Sequence, residues 1–86
     1  MIKTKNILTL EDFQDLKKGD LVVCEFKLDM YKDGKMTRFA PYTIYENKLR
    51  TTEIILQKKE NVYFNYDMFL SGESICKSIV LLTTEI

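Results

Sequence analysis

Apolar and polar residues alternate along most of the chain, and this alternation predicts a mainly β protein. The first long strand is predicted over 21–28, where one set of alternating residues faces the core: Val22, Cys24, Phe26 and Leu28. A short strand or an extended lead-in is predicted at 3–8, and the same periodicity predicts further strands at 36–40, 42–47, 52–57, 62–66 and 75–83. The last of these has apolar residues on both faces, which predicts that it is central in the sheet or covered on both sides.

One short N-terminal helix is predicted over 9–18. Thr9 is a typical N-cap residue, and Asp12 follows three positions later, as in a capping box. Gly19 tolerates the positive φ with which helices commonly end. The helix has one apolar face, made of Leu10, Phe13 and Leu16.

Turn residues separate the predicted strands. Asp33-Gly34 is a strong hairpin signal. Pro41 has no amide donor and therefore marks an edge, a bulge or the start of a strand. The segment 66–75 is expected to form a loop or a single helical turn, although it carries Met68, Phe69 and Leu70. Apolar side chains in such a segment either plug the open end of a barrel, which we favour, or form a contact patch for a partner.

The segment Leu16-Lys17-Lys18-Gly19-Asp20-Leu21-Val22-Val23 resembles the opening of many SH3-like barrels. In those barrels a helix or turn ends in Gly-Asp and a strand of alternating valines follows. The resemblance covers residues 16–28 and implies a five- to six-stranded SH3-like barrel. A strongly bent antiparallel sheet is the alternative. The families that share this opening are mostly binding modules, and none of their functional residues has a counterpart at a matching position here.

The size and charge of the chain limit its function. Its 86 residues suffice for a single domain, 1–86. Thirteen basic and thirteen acidic residues are interspersed, so the chain projects no strong field toward nucleic acid or an anionic membrane. The longest apolar run, 79–82, is too short to cross a bilayer. No signal peptide is recognisable, so we expect a cytoplasmic location. We expect Cys24 and Cys76 to be reduced, partly buried thiols, since a disulfide would require their strands to be neighbours.

The residues needed for common catalytic and metal sites are missing from the sequence. The chain has no histidine, which removes Ser-His-Asp and Cys-His nucleophiles and the commonest zinc ligand. Two distant cysteines do not make a structural zinc site. Three glycines form no phosphate-binding loop. We therefore predict no enzymatic activity, no metal and no cofactor, and interpret carboxylates such as Asp29 and Glu73 as solvated turn residues.

Aromatic and apolar residues in two parts of the chain are the candidates for binding. We predict a non-enzymatic module that binds a protein partner, or a second copy of itself, through an exposed strand edge or an aromatic face. One alternative is a nucleic-acid-binding barrel that uses surface tyrosines with lysine and arginine. A second is a small-ligand site around Tyr66, Asp67 and Glu73. The candidate binding residues are Tyr42, Tyr45, Tyr63, Tyr66, Asp67, Met68 and Phe69.

Overall fold

The chain folds into a six-stranded antiparallel sheet with two short helices, and the computed structural model describes residues 2–32 and 34–84. The strands are β1 (Ile2–Asn6), β2 (Leu21–Lys32), β3 (Lys35–Lys48), β4 (Glu53–Gln57), β5 (Asn61–Asn65) and β6 (Cys76–Thr84). The helices are α1 (Leu10–Gln14) and α2 (Tyr66–Ser71), and a 3-10 turn spans Leu49–Thr51.

The sheet is open. Its order is β1-β6-β2-β3-β4-β5, so β1 and β5 are its two edges within the described part of the chain. The closed barrel was therefore the wrong alternative, and the antiparallel sheet is the correct one. Closure is not required here, because the helices cover one sheet face and bury its apolar residues. As predicted, β6 is a central strand, since it pairs with both β1 and β2.

The core lies between one face of the sheet and the two helices. The sheet contributes every second residue of β2 and β3, while Phe13 and Leu16 come from α1 and its following turn and Tyr66 comes from α2. The other fully buried core residues from the sheet and its lead-in are Ile7, Val22, Cys24, Ile44 and Ile54.

Helix α1 begins as predicted and ends earlier than predicted. The Thr9 hydroxyl accepts the Asp12 amide, while the Asp12 carboxylate accepts the Thr9 amide in return, which completes the capping box. The helix ends at Gln14 because the Asn47 side chain donates to two carbonyls at its C-terminal end. Those bonds, to Phe13 O (2.8 Å) and Leu16 O (3.0 Å), tie this end of the helix to β3.

The strands β2 and β3 are longer than predicted. The prediction that Leu28 faces the core was wrong, because the register of the two strands shifts between Glu25 and Met30 and leaves Leu28 exposed. Pro41 lies inside β3. The Ile44 amide donates to Asp20 O, so the backbone nitrogen of Ile44 faces the β2 side of the strand. Backbone nitrogens alternate in direction along a strand, so the nitrogen of Pro41, three residues away, faces the opposite side. On that side β4 has already ended, because its last pair is Gln57 with Thr43. Pro41 therefore removes no ladder bond.

The two cysteines lie on neighbouring strands and are buried free thiols. Cys24 is opposite Ile79, whereas Cys76 is opposite Phe26. A hydrogen bond with the Cys24 thiol lowers the pKa of Cys76, and burial opposes this effect. Both side chains act as small apolar residues in the core.

The capping carboxylate predicts an acid-dependent stability. Hydrogen bonds from the Leu8 and Thr9 amides, aided by Lys5, hold the pKa of Asp12 below its usual range. A group with a lowered folded-state pKa stabilises the fold above about pH 4 and loses that contribution as the pH falls through the folded value. We expect Asp12→Asn to lower the melting temperature at neutral pH, with the difference from the wild type vanishing at low pH. Thermal unfolding followed by circular dichroism from pH 7 to pH 2 measures it, and a difference independent of pH would contradict this account.

Candidate interaction surfaces

The two faces of the sheet differ in what covers them. The helices pack on the inner face, while the outer face carries the side chains of the intervening positions. Cross-strand pairs on the outer face join Leu21 to Leu82 and Val23 to both Val80 and Pro41. These side chains are half-buried or exposed, because among the described residues neither helix packs on this face.

The strands β2 and β3 continue beyond the rest of the sheet as a two-stranded ribbon, defined here as residues 27–32 and 34–39. Pairing of β2 with β6 ends at Phe26, and pairing of β3 with β4 begins only at Thr43. The Asp29 carboxylate accepts a hydrogen bond from Arg38 Nε (2.8 Å) within the ribbon. The ribbon carries four large apolar side chains that are mostly exposed: Leu28 (67%), Tyr31 (72%), Met36 (64%) and Phe39 (58%).

The base of the ribbon is attached to the segment that follows α2. The Lys27 amide donates to Ile75 O (2.8 Å), and its ammonium group donates to Gly72 O (2.8 Å). Gly72 ends α2 with a φ of +85°, a conformation that suits glycine. The ribbon therefore leaves the sheet from a fixed position.

The strand β5 and the helix α2 form the second surface. The Asn65 side chain caps α2 by accepting the amides of Asp67 (2.9 Å) and Met68 (3.1 Å). A surface groove of about 270 Å³ runs beside this cap, lined by Asn65, Asp67, Met68, Ser71 and Glu73. The segment forms one short helix, in agreement with the predicted single helical turn.

The structure divides the seven predicted binding residues between the core and the surface. Tyr42 and Tyr66 are buried, so neither can belong to an exposed aromatic face, and that part of the expectation was wrong. Tyr42 lies on the face of β3 that the helices cover, whereas Tyr66 is the first residue of α2 and belongs to the core. Tyr45 is partly exposed with Lys18 Nζ 5.3 Å from its ring centre, and Tyr63 is exposed on β5. Asp67 and Met68 are exposed on α2, while Phe69 is half-buried.

The apolar segment of α2 both covers the core and meets solvent. The ring centre of Phe69 lies 5.3 Å from that of Phe13 and 5.9 Å from that of Phe64. Met68 and Leu70 are exposed. There is no barrel end to plug, so Phe69 instead packs over the inner face of the open sheet.

Sequence reasoning missed the ribbon and the role of Asn47. Tyr31 and Phe39 are visible in the sequence as aromatic residues, but nothing in their spacing shows that the two strands outlast their neighbours. The signal that was present is the apolar content of 28–39 on both sides of the Asp33-Gly34 turn signal. Asp33 itself lies outside the described residues.

The described residues were also compared with the requirements of a metal site and of a membrane-spanning helix. Residues 2–32 and 34–84 contain no group of three or more potential metal ligands. Neither helix in this range has the length and apolar character needed to cross a bilayer. Comparisons of the chain with protein-family profiles, with curated proteins and with solved structures each give no match. The exposed surfaces of the sheet and of α2 are therefore the remaining candidates for a functional site.

Proposed function

We propose that this chain is a non-enzymatic protein-interaction module and that its ribbon binds a protein partner. The observation that carries the proposal is the group of four large apolar side chains that the ribbon exposes. Tyr31 and Met36 lie opposite each other across the ribbon, and adjoining exposed apolar side chains mark interaction sites in soluble proteins. A cytoplasmic location, as expected from the sequence, remains part of the proposal.

The chemistry of the ribbon suits protein binding. Tyrosine, phenylalanine and methionine are enriched in the cores of protein interfaces, and these are three of the four exposed residue types. Complete burial of one such side chain contributes about 1.5–3 kcal/mol before the costs of association. The hydrogen bonds from Lys27 to Gly72 and Ile75 hold the base of the ribbon. The ribbon therefore loses less conformational entropy when it binds a partner.

The two alternatives have less support. A nucleic-acid surface needs exposed rings, and burial of Tyr42 and Tyr66 halves the set of tyrosines proposed for it. A small-ligand site needs a deep cavity, whereas the groove beside Asp67 has a volume of about 270 Å³. Tyr66, one of the three residues expected at that site, does not line the groove. That volume lies below the usual range of about 300–1,000 Å³ for ligand pockets.

Quantitative affinity capture from the native host tests the ribbon. The baits are the wild type, the double variant Tyr31→Glu/Phe39→Glu, and Leu49→Glu as a control at the opposite end of β3, where Leu49 is similarly exposed. We expect the wild type and the control to retain the same protein and the double variant to lose it. The retained protein is then purified and its affinity for each bait measured. The proposal fails if the double variant binds the retained protein as tightly as the wild type does. It also fails if the wild type captures no protein in larger amount than the double variant does.

A further inference from the structure

We propose that two copies of this chain pair edge to edge through antiparallel β5 strands, with Tyr63 of each copy opposite Tyr63 of the other. The pairing joins two six-stranded sheets into one continuous sheet with two-fold symmetry. It uses an edge of the sheet that lies outside the ribbon, so it can be true or false independently of the partner proposed for the ribbon.

The backbone of β5 offers unused hydrogen-bonding groups at its outer edge. Its only partner strand among the described residues is β4. The Tyr66 amide donates to Thr52 O (3.0 Å). Backbone groups alternate in direction along a strand, so the amides and carbonyls of residues 62 and 64 also face β4. The amides of Asn61, Tyr63 and Asn65 and the carbonyls of Asn61 and Tyr63 therefore point away from the sheet, whereas the carbonyl of Asn65, as the N-cap of α2, accepts the first hydrogen bond of that helix.

The β5 edge lacks the features that normally prevent strand pairing. Soluble proteins protect edge strands with charged residues, proline or bulges. The opposite edge, β1, is protected in this way by Lys3 and Lys5. The β5 strand contains no charge and no proline, and its ladder with β4 runs without a register shift.

The sequence of β5 is complementary to itself in the antiparallel direction. It reads Asn-Val-Tyr-Phe-Asn, so its residue classes are the same from either end. Centring the pairing on Tyr63 places Asn61 opposite Asn65 and Val62 opposite Phe64 of the second copy. The outward-facing residues then form three hydrogen-bonded pairs. The Tyr63 pair exchanges two backbone hydrogen bonds, and each Asn61–Asn65 pair forms one, from the Asn65 amide to the Asn61 carbonyl, because the Asn65 carbonyl accepts within α2. Any other antiparallel register loses at least one of these pairs.

Elements at both ends of β5 limit the length of the pairing. The turn before β5 carries both signs of charge, Lys58, Lys59 and Glu60, and α2 begins directly after the strand. The pairing is therefore confined to residues 61–65, and its register depends on that segment alone.

The pairing is expected to be weak and reversible. Five residues on each side form an interface below the size of standard stable complexes, about 1,200–2,000 Å² in total. Sedimentation equilibrium of the full chain is therefore recorded from about 1 µM to about 1 mM protein, the range that covers weak association. The expected result is a concentration-dependent rise from the monomer mass of 10.2 kDa toward twice that value.

Proline variants at the two edges distinguish the strand that pairs. Tyr63→Pro removes an outward-facing amide and keeps the bonds to β4, so the fold is retained. Thr4→Pro is the matched control. The Ile7 amide donates to Ile79 O of β6, so the amide of Thr4, three positions away, points to the opposite, outer side of β1. We expect Tyr63→Pro to raise the dissociation constant about tenfold, which corresponds to the loss of the two hydrogen bonds that the Tyr63 pair exchanges, and Thr4→Pro to leave it unchanged.

Charge variants provide a test that does not depend on proline. Tyr63→Lys alone and Tyr63→Glu alone place like charges opposite each other across the two-fold axis and should remain monomeric. A one-to-one mixture should form mixed dimers, because opposite charges then meet. A wild type that stays at the monomer mass at about 1 mM overturns the proposal. Equal association of Tyr63→Pro and the wild type, or a mixture that stays monomeric, also overturns it. None of these results bears on binding by the ribbon.

Discussion

Phe13→Ala is expected to lower the free energy of unfolding by about 3–5 kcal/mol. Phe13 is completely buried and joins the two helices to the sheet. Its ring centre lies 5.1 Å from that of Tyr66, nearly parallel to it, and 5.3 Å from that of Phe69 in an edge-on arrangement. Truncation leaves a cavity lined by rings from α2 and β5 that cannot all move in to fill it. Urea unfolding followed by circular dichroism measures the effect.

Leu10→Ala is the matched control for Phe13→Ala. Leu10 lies on the same helix and is partly exposed, so its loss should cost less than about 1 kcal/mol. In a domain of this size each kcal/mol corresponds to about 4–8 °C in melting temperature. Similar losses for the two variants would show that α1 is not held by the ring of Phe13.

Asn47→Ala is expected to destabilise the protein by about 2–3 kcal/mol. The Asn47 amide is the donor to two carbonyls, Phe13 O and Leu16 O, at the point where α1 ends. Without it, the Leu16 carbonyl loses its side-chain donor, the Phe13 carbonyl keeps only the Leu16 amide, and the end of α1 is held less tightly to β3. Thermal unfolding and amide exchange in residues 13–20 measure the two consequences.

The neighbouring residue provides the control for Asn47→Ala. Glu46 is exposed on the same strand, and we expect Glu46→Ala to change stability by no more than about 0.5 kcal/mol. Asn47→Asp retains the shape but replaces the amide donor with an acceptor, so it should be at least as harmful as Asn47→Ala. Stability equal to the wild type in Asn47→Asp would contradict the capping role.

Local patterns were enough to predict most elements of this fold. The capping residues Thr9 and Asp12 marked the start of α1, and alternation in β2 identified Val22 and Cys24 as core residues. Apolar residues on both faces of β6 indicated its central position. These features depend on neighbours in sequence, which is why sequence reasoning reaches them.

Features set by distant residues were not predictable from the sequence. The end of α1 depends on Asn47, more than thirty residues away. Whether the sheet closes depends on whether β1 meets β5, and the helices make closure unnecessary by covering the inner face. Tyr42 and Tyr66 illustrate the same limit for the site, because a tyrosine in a strand or helix is compatible with either face until the packing of that face is known.

The open sheet explains why the candidate surfaces are strands and not a pocket. A closed barrel has no edges, whereas this sheet leaves β1 and β5 unpaired on one side within the described chain. One edge is protected by lysines and the other is not. The same openness lets β2 and β3 extend past their neighbours to form the ribbon. Both proposed contacts are therefore consequences of one architecture.

Amide hydrogen exchange in β5 tests most directly whether an exposed strand of this sheet pairs with another chain. It is measured by NMR on the purified protein at about 10 µM and at about 1 mM. The amides of Val62 and Phe64, which face β4, should be protected at both concentrations. Those of Tyr63 and Asn65 should exchange fast when dilute and slow by about tenfold once nine-tenths of the chains are paired. Unchanged exchange at these two residues would contradict edge pairing by β5.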